Sequence, residues 1–128
     1  MTQEFKVGDT FEKEIIVEEK HTAKYIGSGG LEVFSTPSLV ALMELAAKDF
    51  IDTKLDNGFS TVGIEINVKH LKATPLGDKV KCIGKLEEID GKKLKFSLEC
   101  FDSKGKIGEG THFRYIVENE KFLKKIYQ

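Results

Sequence analysis

Three side chains stand where their types could attack a carbonyl or move a proton: Thr36, Glu44 and His70. Thr36 stands just before Pro37 and a long apolar run, Leu39 to Ile51, which is where a helix begins with proline at its first position. Its hydroxyl can be an N-cap and nothing more. Alternatively, it sits beside a carbonyl polarised by the first free N–H groups of the helix, as a nucleophile or as a group that orients water or substrate. Pro37 removes one donor, so those N–H groups would be Ser38 and Leu39. Glu44 follows eight residues later among Val40, Ala41 and Ala47. That spacing is about 12 Å along a helix axis and about 80° around it, so the two side chains share related faces without touching. A carboxylate in such company is a candidate general base; the rival reading is an exposed pair with Lys48, worth only about 0.3–0.5 kcal/mol. His70 closes an apolar strand face and can exchange a proton near neutral pH, or it is a core histidine with its hydrogen bonds satisfied. His21 lies among Glu18, Glu19 and Lys20 and reads as solvated, while His112 falls with Arg114 on the less apolar side of the last strand. No histidine has metal-ligand spacing with cysteine or carboxylate, so no metal is expected.

The elements that must hold these groups are legible from their periods. Thr10 to Glu18 reads as a first strand and His21 to Ile26 as a short helical turn, ended by Gly27, Ser28, Gly29 and Gly30. Leu31 to Phe34 is a brief extended lead into the main helix, which runs to about Leu55 before Asn57 and Gly58 stop it. From Thr61 the period becomes two. Val62, Ile64, Ile66, Val68 and His70 then share one face, with Gly63, Glu65, Asn67, Lys69 and Leu71 on the other. After the turn Ala73 to Asp78 come strands at Lys79 to Ile89 and Lys93 to Asp102, joined through Asp90 and Gly91, and a last strand at Lys106 to Val117. Ile107, Thr111, Phe113, Tyr115 and Val117 form its apolar side, opposite His112, Arg114 and Ile116. Phe122, Leu123 and Ile126 mark a short amphipathic helix. One strand, one long helix and then strands linked by tight turns, without βαβ repeats, give an α+β fold with an antiparallel sheet. One sheet covers one side of a helix that is apolar on most sides, so a second subunit is expected.

A length of 128 residues fits one domain, spanning 1–128, with a core that needs no disulfide or metal. Twenty basic against twenty-one acidic residues leave no field that would draw nucleic acid or an anionic membrane. The start of the chain lacks the basic flank and apolar run of a signal peptide, and no stretch approaches a membrane span, so the expected compartment is the cytoplasm. There Cys82 and Cys100, on neighbouring strands, are expected as buried free thiols.

Two stretches, GSGGLEVFSTPSLVALMELAA and TVGIEINVKHLKATPLGD, closely resemble the hot-dog-fold thioesterases grouped with fluoroacetyl-CoA thioesterase. The marks are Thr36 before Pro37, Glu44, His70, and the turn Thr74, Pro75, Leu76, Gly77, Asp78, within a similarity that runs from the first strand to Val117. The resemblance implies a long central helix wrapped by a curved antiparallel sheet, and a homodimer that binds acyl-CoA at the subunit interface. It further implies a catalytic triad of Thr36, Glu44 and His70, a contribution from Gly63, and no cofactor beyond the coenzyme A thioester that is the substrate. Phe34 and Phe59 are the candidates to line the acyl site, and Ser38 and Leu39 to bind the substrate through their N–H groups. The expected reaction is hydrolysis of a short or small acyl-CoA to a carboxylate and free CoA. The Gly27 to Gly30 loop carries no bulky residue that would define a fluoroacetyl pocket. Two rivals use the same residues differently: an acyl-thioester hydratase or dehydratase, which needs no nucleophile at Thr36, and a non-catalytic acyl-CoA-binding dimer.

Overall fold

The structure, a computed structural model, describes residues 4–128. Strands β1 (Thr10–Ile16), β2 (Phe59–His70), β3 (Lys79–Asp90), β4 (Lys93–Asp102) and β5 (Gly105–Glu118) form one antiparallel sheet in the order β1-β3-β4-β5-β2. Helix α1 (Ala23–Ile26) is a single turn, α2 (Thr36–Asp52) is the long central helix, and α3 (Asn119–Ile126) closes the chain. The first strand stops two residues short of the expected Glu18, because a one-turn 3-10 helix over Glu19–His21 takes the chain away from the sheet. Leu31 to Phe34 forms no continuous strand; it holds only isolated bridges, Phe34 to Thr22 and Val33 to Pro75.

Helix α2 packs into the concave side of the sheet and touches β1, β2, β3 and β5. Leu39, Leu42, Met43, Ala46, Ala47 and Ile51 are buried on it, against Val80, Leu86, Leu94, Phe96, Leu98 and Ile116 from the strands. At its C-terminal half Phe50 stacks on Phe11 with ring centroids 4.8 Å apart, and Phe96 meets both edge-on. A side chain at Gly84 would occupy the space of the Phe11 ring, so this aromatic corner depends on that glycine. The helix ends at Asp52 rather than near Leu55, with Thr53 as C-cap. Its opposite flank stays open: Ala41 and Leu45 are exposed.

Strand β2 corrects the expected alternation. Gly63 pairs with Arg114 and Glu65 with Phe113, which leaves Ile64 as an extra residue in a β-bulge. The bulge switches the parity of the strand. Thr61 and Gly63 face α2 before it, and Ile66, Val68 and His70 face α2 after it, each opposite an inward residue of β5. Ile64, expected on the face of His70, is half exposed. Strand β5 alternates without interruption here, so Gly108, Gly110, His112, Arg114 and Ile116 all point to the helix, the reverse of the expected polar side.

Candidate active site

Ser35, not Thr36, caps α2. Its backbone is extended (φ −80°, ψ 153°), its Oγ accepts the Ser38 N–H at 3.1 Å, and its carbonyl accepts the Leu39 N–H at 3.0 Å. Thr36 thus becomes the first helical residue and Pro37 the second, and the Ser38 and Leu39 donors expected to polarise a carbonyl are already taken. Relieved of capping, the exposed Thr36 hydroxyl lies 2.8 Å from His70 Nδ1. Burial holds His70 below the ordinary imidazole value, against a weaker opposing pull from the Lys72 backbone. Its Nε2 is buried without a partner, so the ring meets Thr36 as a neutral base with one nitrogen unclaimed. Phe34, fully buried, packs edge-on to the ring at 6.5 Å and fixes its plane.

Glu44 makes no pair with Lys48, which bonds Asp52 at 2.9 Å and Asp49 at 3.6 Å instead. The carboxylate turns to Gly63: a Cβ built on that glycine would stand 3.1 Å from Glu44 Oε2, 3.2 Å from His112 Cε1 and 3.4 Å from Arg114 Nη1. Gly63 therefore contributes space, and the bulge delivers that space to the helix. Beneath it, Arg114 is tied by Nε to Thr61 Oγ1 at 2.7 Å and by Nη2 to the Thr61 carbonyl at 3.0 Å. Its Nη1 donates to His112 Nε2 at 3.0 Å, which requires the His112 proton on Nδ1, where it donates to the Glu65 carbonyl at 2.8 Å. Burial lowers His112 first of all and Arg114 adds to this, while the Glu65 carbonyl and Glu44 oppose it. The guanidinium remains charged under these conditions, a buried cation close to the Glu44 carboxylate without a direct ion pair.

The two groups of residues occupy successive stations on one seam between α2 and β2. Thr36 meets His70 at one station and Glu44 meets Gly63 at the other, about 12 Å apart along the helix at about 1.5 Å per residue. No hydrogen bond among the described residues joins the stations. A cavity of about 350 Å³ opens beside the first, lined among others by Ser28, Phe34, Ser35, Thr36, His70 and Lys72. Of the expected substrate-binding residues, Phe34 lines this cavity. Ser38 faces a smaller one of about 120 Å³ with His21, Ala41 and Leu45, and Leu39 is core against Gly108. Phe59 opens β2 at the end away from His70. His112 and Arg114 are what sequence reasoning missed. Their signal is the glycine pair Gly108 and Gly110 on the same parity, since two glycines on one strand face mark a close approach.

Comparisons with known proteins agree with this architecture. The family of fluoroacetyl-CoA-specific thioesterases matches residues 17–120. The fluoroacetyl-CoA thioesterase of Streptantibioticus cattleyicolor is 31% identical over an aligned 134 residues, covering 100% of this chain and 96% of that protein. A phenylalanine-to-alanine variant of the fluoroacetyl-CoA-specific thioesterase, crystallised in complex with fluoroacetate and CoA, superposes with a TM-score of 0.88 at 31% identity, covering 92% of this chain and 99% of that one. A hot-dog-like protein from Thermanaerovibrio acidaminovorans does so with a TM-score of 0.88 at 25% identity, over 96% and 91% of the two chains. The chain adopts the hot-dog fold and belongs to the family of the fluoroacetyl-CoA-specific thioesterases, which are thioester hydrolases.

Proposed function

We propose that this protein hydrolyses acyl-CoA thioesters to a carboxylate and free CoA, with Thr36, His70 and Glu44 as the reacting groups. The observation that carries the reading is the 2.8 Å contact between Thr36 Oγ1 and a neutral, half-buried His70, at a helix N-terminus that opens into a cavity. With Ser38 and Leu39 occupied, the Thr36 N–H is the remaining donor of the first turn to steady an oxyanion. Thr36 attacks the thioester carbonyl, or holds the water that does. The proton released passes to His70 Nδ1 and from there to the departing CoA sulfur; an acyl-threonine, where one forms, is then cleaved by water to the carboxylate, and a proton returns to Thr36 Oγ1. Glu44, at the second station, serves as base or orienter for water. The cavity of about 350 Å³ beside the dyad suits a short acyl chain together with the thioester.

Three further assignments belong to this reading. The long edge of β2, unpaired by any strand among the described residues, borders the seam, which supports a homodimer closing over the site. The whole chain acts as one domain without a cofactor. Free buried thiols at Cys82 and Cys100, directly opposite across β3 and β4, support a reducing cytoplasm. No helix of the described residues is long and apolar enough to cross a membrane.

The test is release of free thiol from short, branched, aromatic and long acyl-CoAs. Wild type is expected to release CoA from at least one class, and His70→Ala to be slower by about a hundredfold or more. No release above the spontaneous rate from any of them would sink the proposal. Intact-mass measurement after rapid quenching then separates direct water attack from an acyl-threonine.

A further inference from the structure

The contact between Thr36 and His70 joins two segments far apart in sequence, each at the end of an element, and something must hold those ends in register. Thr36 follows an irregular lead-in, and His70 is followed by the turn over Ala73 to Asp78. The two segments meet at Thr74. Its carbonyl accepts the Phe34 N–H at 2.9 Å, and the next residue, Pro75, bridges Val33. Thr74 is fully buried, and its hydroxyl donates to Asp102 Oδ2 at 2.9 Å. The side chain of Asp102 is only 1% exposed, at the end of β4, on an element that carries no part of the site. Its other oxygen accepts the Lys104 N–H at 2.8 Å and the Lys72 ammonium at 3.4 Å. A buried carboxylate with three donors is an anchor, and those donors outweigh the burial that would otherwise raise it, holding Asp102 below the ordinary carboxylate range.

We propose that Thr74 and Asp102 form a clamp that sets the distance between Thr36 and His70, making both of them positioning residues for the hydrolysis. The inference rests on the reading of Thr36 and His70 as the reacting pair. Asp102 fixes Thr74 from outside the site. Thr74 fixes Phe34 through its carbonyl, and Phe34 sits two residues before Thr36 and against the His70 ring. Neither clamp residue lines the cavity beside the dyad, so substrate affinity does not depend on them directly.

Thr74→Val removes the hydroxyl while keeping the shape, and Thr74→Ser restores it. Thr74→Val is expected to lower kcat about ten- to a hundredfold with KM changed less than about twofold, as a displacement on the order of 1 Å does, and Thr74→Ser to recover most of the loss. The ring nitrogen signals of His70 in a labelled sample report its bond to Thr36 without turnover. They are expected to shift in Thr74→Val and to return in Thr74→Ser. If Thr74→Val does not fold, Asp102→Asn is measured in its place with the same expectations for kcat and the His70 signals. Unchanged His70 signals together with unchanged kcat overturn the clamp. A wild type that hydrolyses no acyl-CoA overturns the proposed function instead, and the His70 signals still decide the clamp. Equal losses in Thr74→Val and Thr74→Ser also overturn it, because the hydroxyl would then not be what matters.

Discussion

His70 is a half-buried histidine whose value as a base comes from being hard to protonate. Its imidazole lies below the ordinary value of 6.5, chiefly because burial disfavours the charged ring. The neutral form is the active one, so kcat/KM is expected to fall on the acid side only below about pH 6.5, in a profile measured across about pH 4.5 to 8. A limb above 6.5 would contradict the burial argument. Gly63 makes a second prediction of the same kind. In Gly63→Ala the new methyl meets the Glu44 carboxylate at 3.1 Å and the His112 ring at 3.2 Å. It is expected to cut kcat by about tenfold or more by turning the carboxylate away, with the melting temperature lowered by only a few degrees. Thr36, Glu44 and His70 were legible as residue types, and Thr36 and His70 do meet. The surroundings of Glu44 were not, because local sequence reads Lys48 as its neighbour, and the geometry instead gives Lys48 to Asp52.

At the scale of elements, a single serine decides what Thr36 is for. Ser35→Ala removes the cap of α2 and is expected to cost about 0.5–2 kcal/mol in urea unfolding. It also frees the Ser38 N–H that Ser35 Oγ now occupies. Helix α2 itself was legible from Pro37 and the apolar run, to within a residue at its start and three at its end. The cap was shifted by one because Ser35 and Thr36 are both good N-caps, and only the extended backbone at Ser35 distinguishes them. The parity of β2 was illegible for a different reason. Val62, Ile64, Ile66 and Val68 alternate perfectly in sequence, and a bulge adds a residue without leaving any mark in that pattern. In β5 the apolar residues Phe113, Tyr115 and Val117 set the expected core side, and His112 and Arg114 were assigned to the wrong side for that separate reason. They hold a buried polar network with Thr61 and the Glu65 carbonyl.

For the molecule as a whole, two depressed histidines set its acid tolerance. His70 and His112 both lie below 6.5 in the folded state, chiefly through burial. The unfolded chain therefore takes up their protons first as pH falls. Stability is expected to be complete above about pH 6.5 and to decline below it, until the folded-state values are reached. Asp102 and Asp49 lie below the ordinary carboxylate value of 3.8, so a further loss is expected as pH falls through the acid range beneath it. Urea titrations at about pH 7, 5.5, 4 and 2.5 check both steps: a midpoint that rises between about pH 7 and 5.5 would contradict the first, and one unchanged between about pH 4 and 2.5 the second. Light scattering is expected to give twice the chain mass of 14.4 kDa if the β2 edge is a subunit contact. The antiparallel α+β class was legible from the order of elements. The position of β2 at the sheet edge was not, since it follows α2 directly yet pairs with the last strand. The bulge at Ile64 has a consequence for descent. A chain that lost this one residue could turn Gly63 or His70 toward α2, but not both. The two stations of the seam therefore depend on one and the same residue. A relative that aligns with this chain without a gap through β2 inherits both, and one with a deletion there keeps the letters of the site while losing half of its geometry.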